Sequence, residues 1–314
     1  MIQINPNAKT LNIILPNTNR ALQKVIENVS SKELQTLSLG KDLNTIIKDL
    51  FEQSKENQKA DKLLLELAKK NPTLKELGSI TSSVKELIQV LTKESTLLAL
   101  KKQLTTFLSD IKDISPKNLQ EKVLNSGLFL ENKLKTIQAS QVEIIIKETL
   151  SNDFKVILLK AIESVQNSTL ANKQEILKHL DKTLLTIDYQ QLVSHLSNAT
   201  SLFIPYSWDA LEDGEISMKS TKDGKFFTDI ELQLKVFGSL KLRLGMFEKN
   251  QLSININAEN KTLKQILQEN IPILKKQLID VGIILMSIHF IDESHSTAYE
   301  EIIQSIDAGF EVTV

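Results

Sequence analysis

The four histidines, His179, His195, His289 and His295, are the side chains of this 314-residue sequence best suited to proton transfer or metal binding near neutral pH. None lies three or four positions from another, so no helix face offers two imidazoles to one ion. The adjacent carboxylates Glu212-Asp213 and Glu300-Glu301 point to different sides of any regular element and do not form the facing pair that acid–base hydrolysis needs. The absence of cysteine removes thiolate metal sites, disulfides and thiol nucleophiles. With nine glycines there is neither a phosphate-cradling loop nor a dinucleotide fingerprint, and no G-x-S-x-G elbow. The expectation is a protein that is not an enzyme, with no catalytic, cofactor-binding or metal-binding residues. Its chemistry is then that of surfaces, and the elements that shape those surfaces become the question.

Charged and apolar fractions of 25% and 41% are those of a globular protein, and the length suffices for two domains with a buried core. A net charge of −1 provides no basic field for nucleic acid. No window approaches the ~18 consecutive apolar residues of a membrane span, so no membrane insertion is expected. The N-terminus, Met1 to Asn19, lacks a basic region followed by an apolar run and does not read as a cleaved secretory signal.

From Asn17 to about Ser197 the apolar spacing is helical. Ser30-x-x-Glu33, Thr73-x-x-Glu76 and Ser83-x-x-Glu86 have the form of capping boxes, and Ser115-Pro116 that of a cap followed by proline at the first helical position. Val84, Leu87, Ile88 and Leu91, then Leu97, Leu100, Leu104, Phe107, Leu108 and Ile111, predict one helix of about 28 residues. No repeat of fixed period emerges.

After residue 200 the period changes to two. Ile230, Leu232, Leu234 and Val236; Leu240, Leu242, Leu244 and Met246; and Leu252, Ile254, Ile256 and Ala258 alternate with polar residues, as strands with one wet face do. All apolar positions are even, so paired residues must sum to an even number. The shortest loops that satisfy this are Phe237-Gly238-Ser239 and Glu248-Lys249-Asn250, with Gly238 and Asn250 suited to positive φ. Leu244 would then lie between Leu232 and Ile254. Asp213-Gly214 and Asp223-Gly224 read as hairpin turns around a strand from Glu215 to Thr221. From the cap Asn260 a helical stripe follows: Leu263, Ile266, Leu267, Ile271, Leu274, Leu278 and Val281. Pro272 should kink that helix, Gly282 should end it, and Ile283 to Phe290 reads as a closing strand. The predicted fold class is α+β: an all-helical N-terminal region, then an antiparallel sheet of four to six strands packed on one kinked helix.

The stretch from Leu232 to Ile283 resembles the C-terminal domain of flagellar hook-length control proteins. The residues that carry the resemblance are Gly238, Leu240, Leu242, Glu259, Asn260, Leu267, Pro272, Leu274, Leu278 and Gly282. Upstream, Ser126-Gly127-Leu128-Phe129-Leu130-Glu131, Asp153-Phe154-Lys155 and Ile187-Asp188-Tyr189-Gln190-Gln191-Leu192 are similar to pieces that precede this domain in the family, in the same order. On periodicity alone, Leu128, Leu130, Leu134, Phe154, Ile157, Leu158 and Leu192 are what any amphipathic bundle helix buries. Leu202 to Trp208 is similar to the family's opening strand. The expected domains are a disordered N-terminus over 1–16, a helical region over 17–198, the α+β domain over 199–293, and a tail over 294–314 holding a short helix from Ala298 to Ile306.

The resemblance implies hook-length control and a switch of substrate specificity in type III export, acting by protein–protein recognition. The implied partners are the cytoplasmic domain of the export gate's specificity-switch protein and hook or hook-cap proteins. The protein would be cytoplasmic, then exported, with residues 1–16 as its signal. One departure is evident: family members carry a long Pro/Gln/Ser-rich region, whereas this chain has six prolines and a helical pattern in its place. The alternative reading is a cytoplasmic helical scaffold or adaptor with a C-terminal interaction domain.

Overall fold

A computed structural model describes residues 19–28, 58–92, 94, 97–136, 150–197, 199–203, 206–220, 225–248 and 250–291. The chain divides into two compact units, Met1–Trp208 and Asp209–Val314. The Ser30–Glu33 box, the Asp223-Gly224 turn, residues 1–16 and the Ala298–Ile306 helix lie outside the described residues.

In the first unit, helices α1 (Arg20–Glu27), α2 (Gln58–Lys70), α3 (Pro72–Lys75), α4 (Ile80–Leu91) and α5 (Leu98–Phe107) are followed by a short strand, β1 (Ser109–Asp110). Helices α6 (Pro116–Leu124), α7 (Leu130–Thr136), α8 (Phe154–Gln166) and α9 (Lys173–Ser197) come next, then β2 (Thr200–Phe203) and β3 (Tyr206–Ser207). Strand β3 pairs in parallel with β1. The 25-residue α9 passes through two apolar clusters. Its Ile176, Leu180, Leu184 and Ile187 pack with α4, α5 and α8, where the rings of Phe107 and Phe154 stack 3.9 Å apart beside Phe203. Its Leu192 and Leu196 pack with α1, α2 and α3.

Helix starts differ from expectation where two caps compete. The caps are Asn71, whose side chain accepts from the Leu74 amide, and Ser79, which accepts from Ser82, so Thr73 and Ser83 lie inside their helices. Asn71 precedes a proline already fixed at helical φ, and Ser79 follows the turn at Gly78, so in each case the earlier residue is pre-placed to cap. Ser115 caps α6 as expected, accepting from Asn118 with Pro116 at the first position. The single helix expected from Val84 to Ile111 is instead α4 and α5. At the break Thr92 Oγ1 bonds back to the Ile88 carbonyl, the local competition with helix hydrogen bonding that Thr and Ser favour.

In the second unit, β4 (Leu211–Ser220), β5 (Phe226–Leu234), β6 (Gly238–Phe247), β7 (Gln251–Ala258) and β8 (Ile284–Phe290) lie side by side in that order, with α10 (Lys261–Asp280) between β7 and β8. The first four are antiparallel neighbours, but β8 runs parallel to β7, so the sheet is mixed rather than antiparallel. α10 carries the chain back to the starting end of β7, and the next strand must then run the same way. Asp213-Gly214 is not a turn: both residues sit within β4, past an irregularity between Leu211 and Asp213.

The β6–β7 register is the expected one, with Leu244 opposite Ile254. The β5–β6 register is not. Leu244 pairs with Thr228, and Leu232 with Leu240, so the hairpin loop is Lys235-Val236-Phe237. Parity survives because the slip is an even number of residues. Gly238, at φ +72°, is the left-handed residue that closes the loop at its end rather than its centre, and it leaves Val236 exposed at the tip. In the second turn the positive φ belongs to Glu248, not Asn250.

Candidate functional site

Of the motif residues of the second unit, Gly238, Leu240, Glu259 and Asn260 meet at the corner where β6, β7 and α10 join, whereas Gly282 lies at the far end of α10, where its carbonyl accepts from Asn250 Nδ2. Leu240 is buried and pairs with both Leu232 and Ala258. Glu259 follows β7 and turns its carboxylate onto the preceding hairpin, where Oε2 accepts from the Ser239 amide at 2.9 Å while its own amide donates to the Ser239 carbonyl at 3.1 Å. A Cβ on Gly238 would stand 2.5 Å from that oxygen, so a side chain there would have to push the end of Glu259 aside as well as adopt positive φ. Asn260 caps α10, its Oδ1 accepting from the amides of Thr262 and Leu263 at 2.8 and 3.2 Å. Of the α10 stripe, Leu263 is buried and Leu267, Ile271, Leu274 and Leu278 are half-buried, whereas Ile266 and Val281 are exposed, against expectation. They lie off the line through 263, 267, 271, 274 and 278, the positions that face the sheet. The helix runs on through exposed Pro272. It ends as expected at Gly282, φ +80°, with the Ile283 amide donating to the Leu278 carbonyl at 2.8 Å. Leu242 is half-buried on the sheet.

The ten positions lie within the stretch from β6 to the start of β8. The opposite face of the sheet carries a bidentate Arg243–Asp229 pair at 2.6 and 2.8 Å, a longer Lys241–Glu231 pair, and the rings of Phe227 and Phe247 against Gly245.

The first unit holds a second constellation, built from the three upstream pieces. The Nζ of Lys155 donates to Glu131 Oε1 at 3.0 Å and to Gln191 Oε1 at 2.7 Å, and lies 2.8 Å from Asp188 Oδ1 as an ion pair. Gln191 Nε2 donates to Glu131 Oε2 at 2.6 Å and to the Gly127 and Leu128 carbonyls. Gly127, at φ +90°, admits the close approach of α8, since a Cβ there would lie 2.8 Å from Lys155 Cβ. Asp153 caps α8 and meets Lys133 at 2.9 Å. Asp188 reaches the other cluster: its Oδ2 accepts from the Arg20 amide and its carbonyl from Asn19 Nδ2, which ties the start of α1 to α9.

Burial opposes the charge on Lys155, but Asp188 and Glu131 together outweigh it and hold the ammonium above the ordinary lysine value. Burial raises Asp153, partly offset by Lys133, and raises Asp188, partly offset by Lys155. Lys155 is thus a buried cation held between two carboxylates and an amide oxygen. Periodicity ranks only the apolar members of these pieces as core, and Leu130, Phe154, Leu158 and Leu192 are buried. The acid–lysine–acid recurrence among the three pieces is the signal that could have found the charged members.

Among the described residues no group of three or more His, Asp or Glu could hold a metal ion, and no helix is long and apolar enough to cross a membrane.

The chain therefore joins a helical unit with a charged knot in its core to an α+β module closed by a carboxylate-braced hairpin. Residues 214–298 match the family model described as flagellar hook-length control protein FliK, and the chain carries the C-terminal hook-length control domain. That domain ties it to flagellar hook-length control. No curated protein and no solved structure matches the chain.

Proposed function

We propose that the protein controls hook length by recognition rather than catalysis, its C-terminal module docking on the cytoplasmic domain of the export gate's specificity-switch component. Docking changes the exported class from hook to filament subunits. The protein is then a cytoplasmic product that is itself exported, and it meets hook or hook-cap proteins on the way. The single observation that carries this reading is the match over residues 214–298, which coincides with the module that Gly238, Glu259 and Asn260 hold together. Deleting the gene should give overlong hooks without filaments, scored by electron microscopy. Hooks of normal length would overturn the reading. A pull-down of the full chain on the export gate's cytoplasmic domain tests the partner.

A cytoplasmic helical scaffold or adaptor is the second reading, and the folded helical unit favours it, because α9 and its neighbours occupy the region where a low-hydrophobicity length-measuring segment is expected. Fractionation of export-competent cells separates the two: the scaffold stays inside.

A further inference from the structure

Strand β8 is the last strand of its sheet. Among the described residues it pairs with β7 alone, so its outer edge presents backbone groups outside any ladder. The amides of Ile284 and Ile291 point inward, donating to the carbonyls of Asn250 and Ile256 at 2.8 Å. Amides alternate in direction along a strand and this ladder shifts once, between Leu252 and Ser253, so Leu285, Ile288 and Phe290 turn their amides and carbonyls outward. Those three residues pair with buried Leu252, Ile254 and Ile256, which sets their side chains on the face that α10 covers. Natural edges are commonly guarded by lysine or proline, and Ile284–Phe290 contains neither, nor any acid or arginine.

The charge sits on the neighbouring helix instead. Lys264 marks the β8 flank of α10, with its Nζ 6.0 Å from the centre of the Phe290 ring. At ~100° per residue, Lys261, Gln268, Lys275 and Ile279 fall within ~60° of Lys264, whereas Glu269 and Asp280 lie ~140° or more away. The flank beside the free edge therefore carries three lysines and no acid. Two copies joined through β8 would set these basic flanks against each other, which disfavours a second copy as the occupant.

We propose that the β8 edge takes up an extended acidic segment of another protein by strand addition. The segment's backbone continues the ladder on Leu285, Ile288 and Phe290, and carboxylates at its alternate positions meet Lys261, Lys264 and Lys275. The dimensions agree, because Lys264 and Lys275 stand ~16 Å apart along α10, the length of about five residues of strand. The inference assigns an edge and a ligand chemistry that the docking reading leaves open, and it does not depend on that reading.

The probe is a short peptide alternating Glu and Val, titrated into the isotope-labelled full-length protein and followed by NMR. Shifts should centre on the amides of Leu285, Ile288 and Phe290, with a Kd of about 1 mM or tighter. Exchanging the peptide's Glu for Lys, or introducing Lys261→Glu with Lys275→Glu, should weaken binding at least about tenfold, and a fully N-methylated peptide should not bind. Both lysines are exposed, and unchanged amide shifts elsewhere verify that the variant keeps its fold. No shift at those three amides, or equal affinity for acidic and basic peptides, overturns the proposal. Slow hydrogen exchange of the three amides in the protein alone also overturns it, since the edge is then already filled: by a second copy where the slowing grows with protein concentration, and by the chain itself where it does not. Peptide and purified protein suffice for these measurements, so their outcome is separate from that of the gene deletion.

Discussion

At the scale of single residues, the charged knot and the braced hairpin depend on particular atoms. Replacing Lys155 with methionine leaves Glu131 and Asp188 facing each other in a dry core, and breaking one partner out of a buried ionic group costs about 3–5 kcal/mol. The denaturant midpoint of Lys155→Met should fall accordingly, and adding Glu131→Gln and Asp188→Asn should recover part of the loss. Gly238 and Gly282 separate space from conformation. Both have positive φ, but a Cβ at Gly238 collides with Glu259, whereas a Cβ at Gly282 meets nothing within 4 Å. Gly282→Ala should therefore cost about 1 kcal/mol and Gly238→Ala distinctly more, compared by thermal melts. Equal losses would show that Glu259 moves aside freely.

At the scale of elements, Pro272 is the clearest lever. It removes a helix amide in the interior of α10, and proline there costs on the order of 3 kcal/mol relative to alanine. Since its side chain is exposed, Pro272→Ala should raise the melting temperature of the module; a fall would mean that the proline shapes the helix against the sheet. Elements were legible where one signal dominated. Alternation set every core position of β6 and β7 on the right face, and Asn260 and Gly282 bounded α10 because cap and stop chemistry act locally. The signal failed where two local choices satisfy the same pattern. Parity permits the β5–β6 hairpin to slip by an even step, and the bond from the Ser239 amide to Glu259, 20 residues on, accompanies the observed register but is invisible to periodicity. The break between α4 and α5 was hidden because both helices bury the same apolar period into one cluster. The knot was hidden for a different reason: Glu131, Lys155 and Asp188 come from three separate helices, and charge on each helix alone looks like a solvated face.

At the scale of the whole molecule, α9 contributes to both apolar clusters of the helical unit, and the bonds of Asp188 lie along it between them. The pH dependence follows from Lys155. Its folded value is raised above the ordinary 10.5, so its contribution is complete below that pH and is lost as pH rises through the folded value. The unit should hold its melting temperature up to about pH 10 and then lose it in a single transition, followed by circular dichroism. Loss of α1 helicity well before the rest would separate the two clusters.

The bonds from Asn19 and Arg20 to Asp188 join residues 169 and 168 positions apart. A ribosome making about 5–20 residues per second needs about eight to thirty-five seconds to supply that partner. For that interval α1 has no seat on α9, and only its nearer partners on α2 and α3 have been made. Only when Asp188 has left the ribosomal tunnel can its bonds to the start of α1 form. The distance in sequence between α1 and α9 thus fixes the order of assembly: α2 and α3 come to α1 first, and the bonds to Asp188 close last.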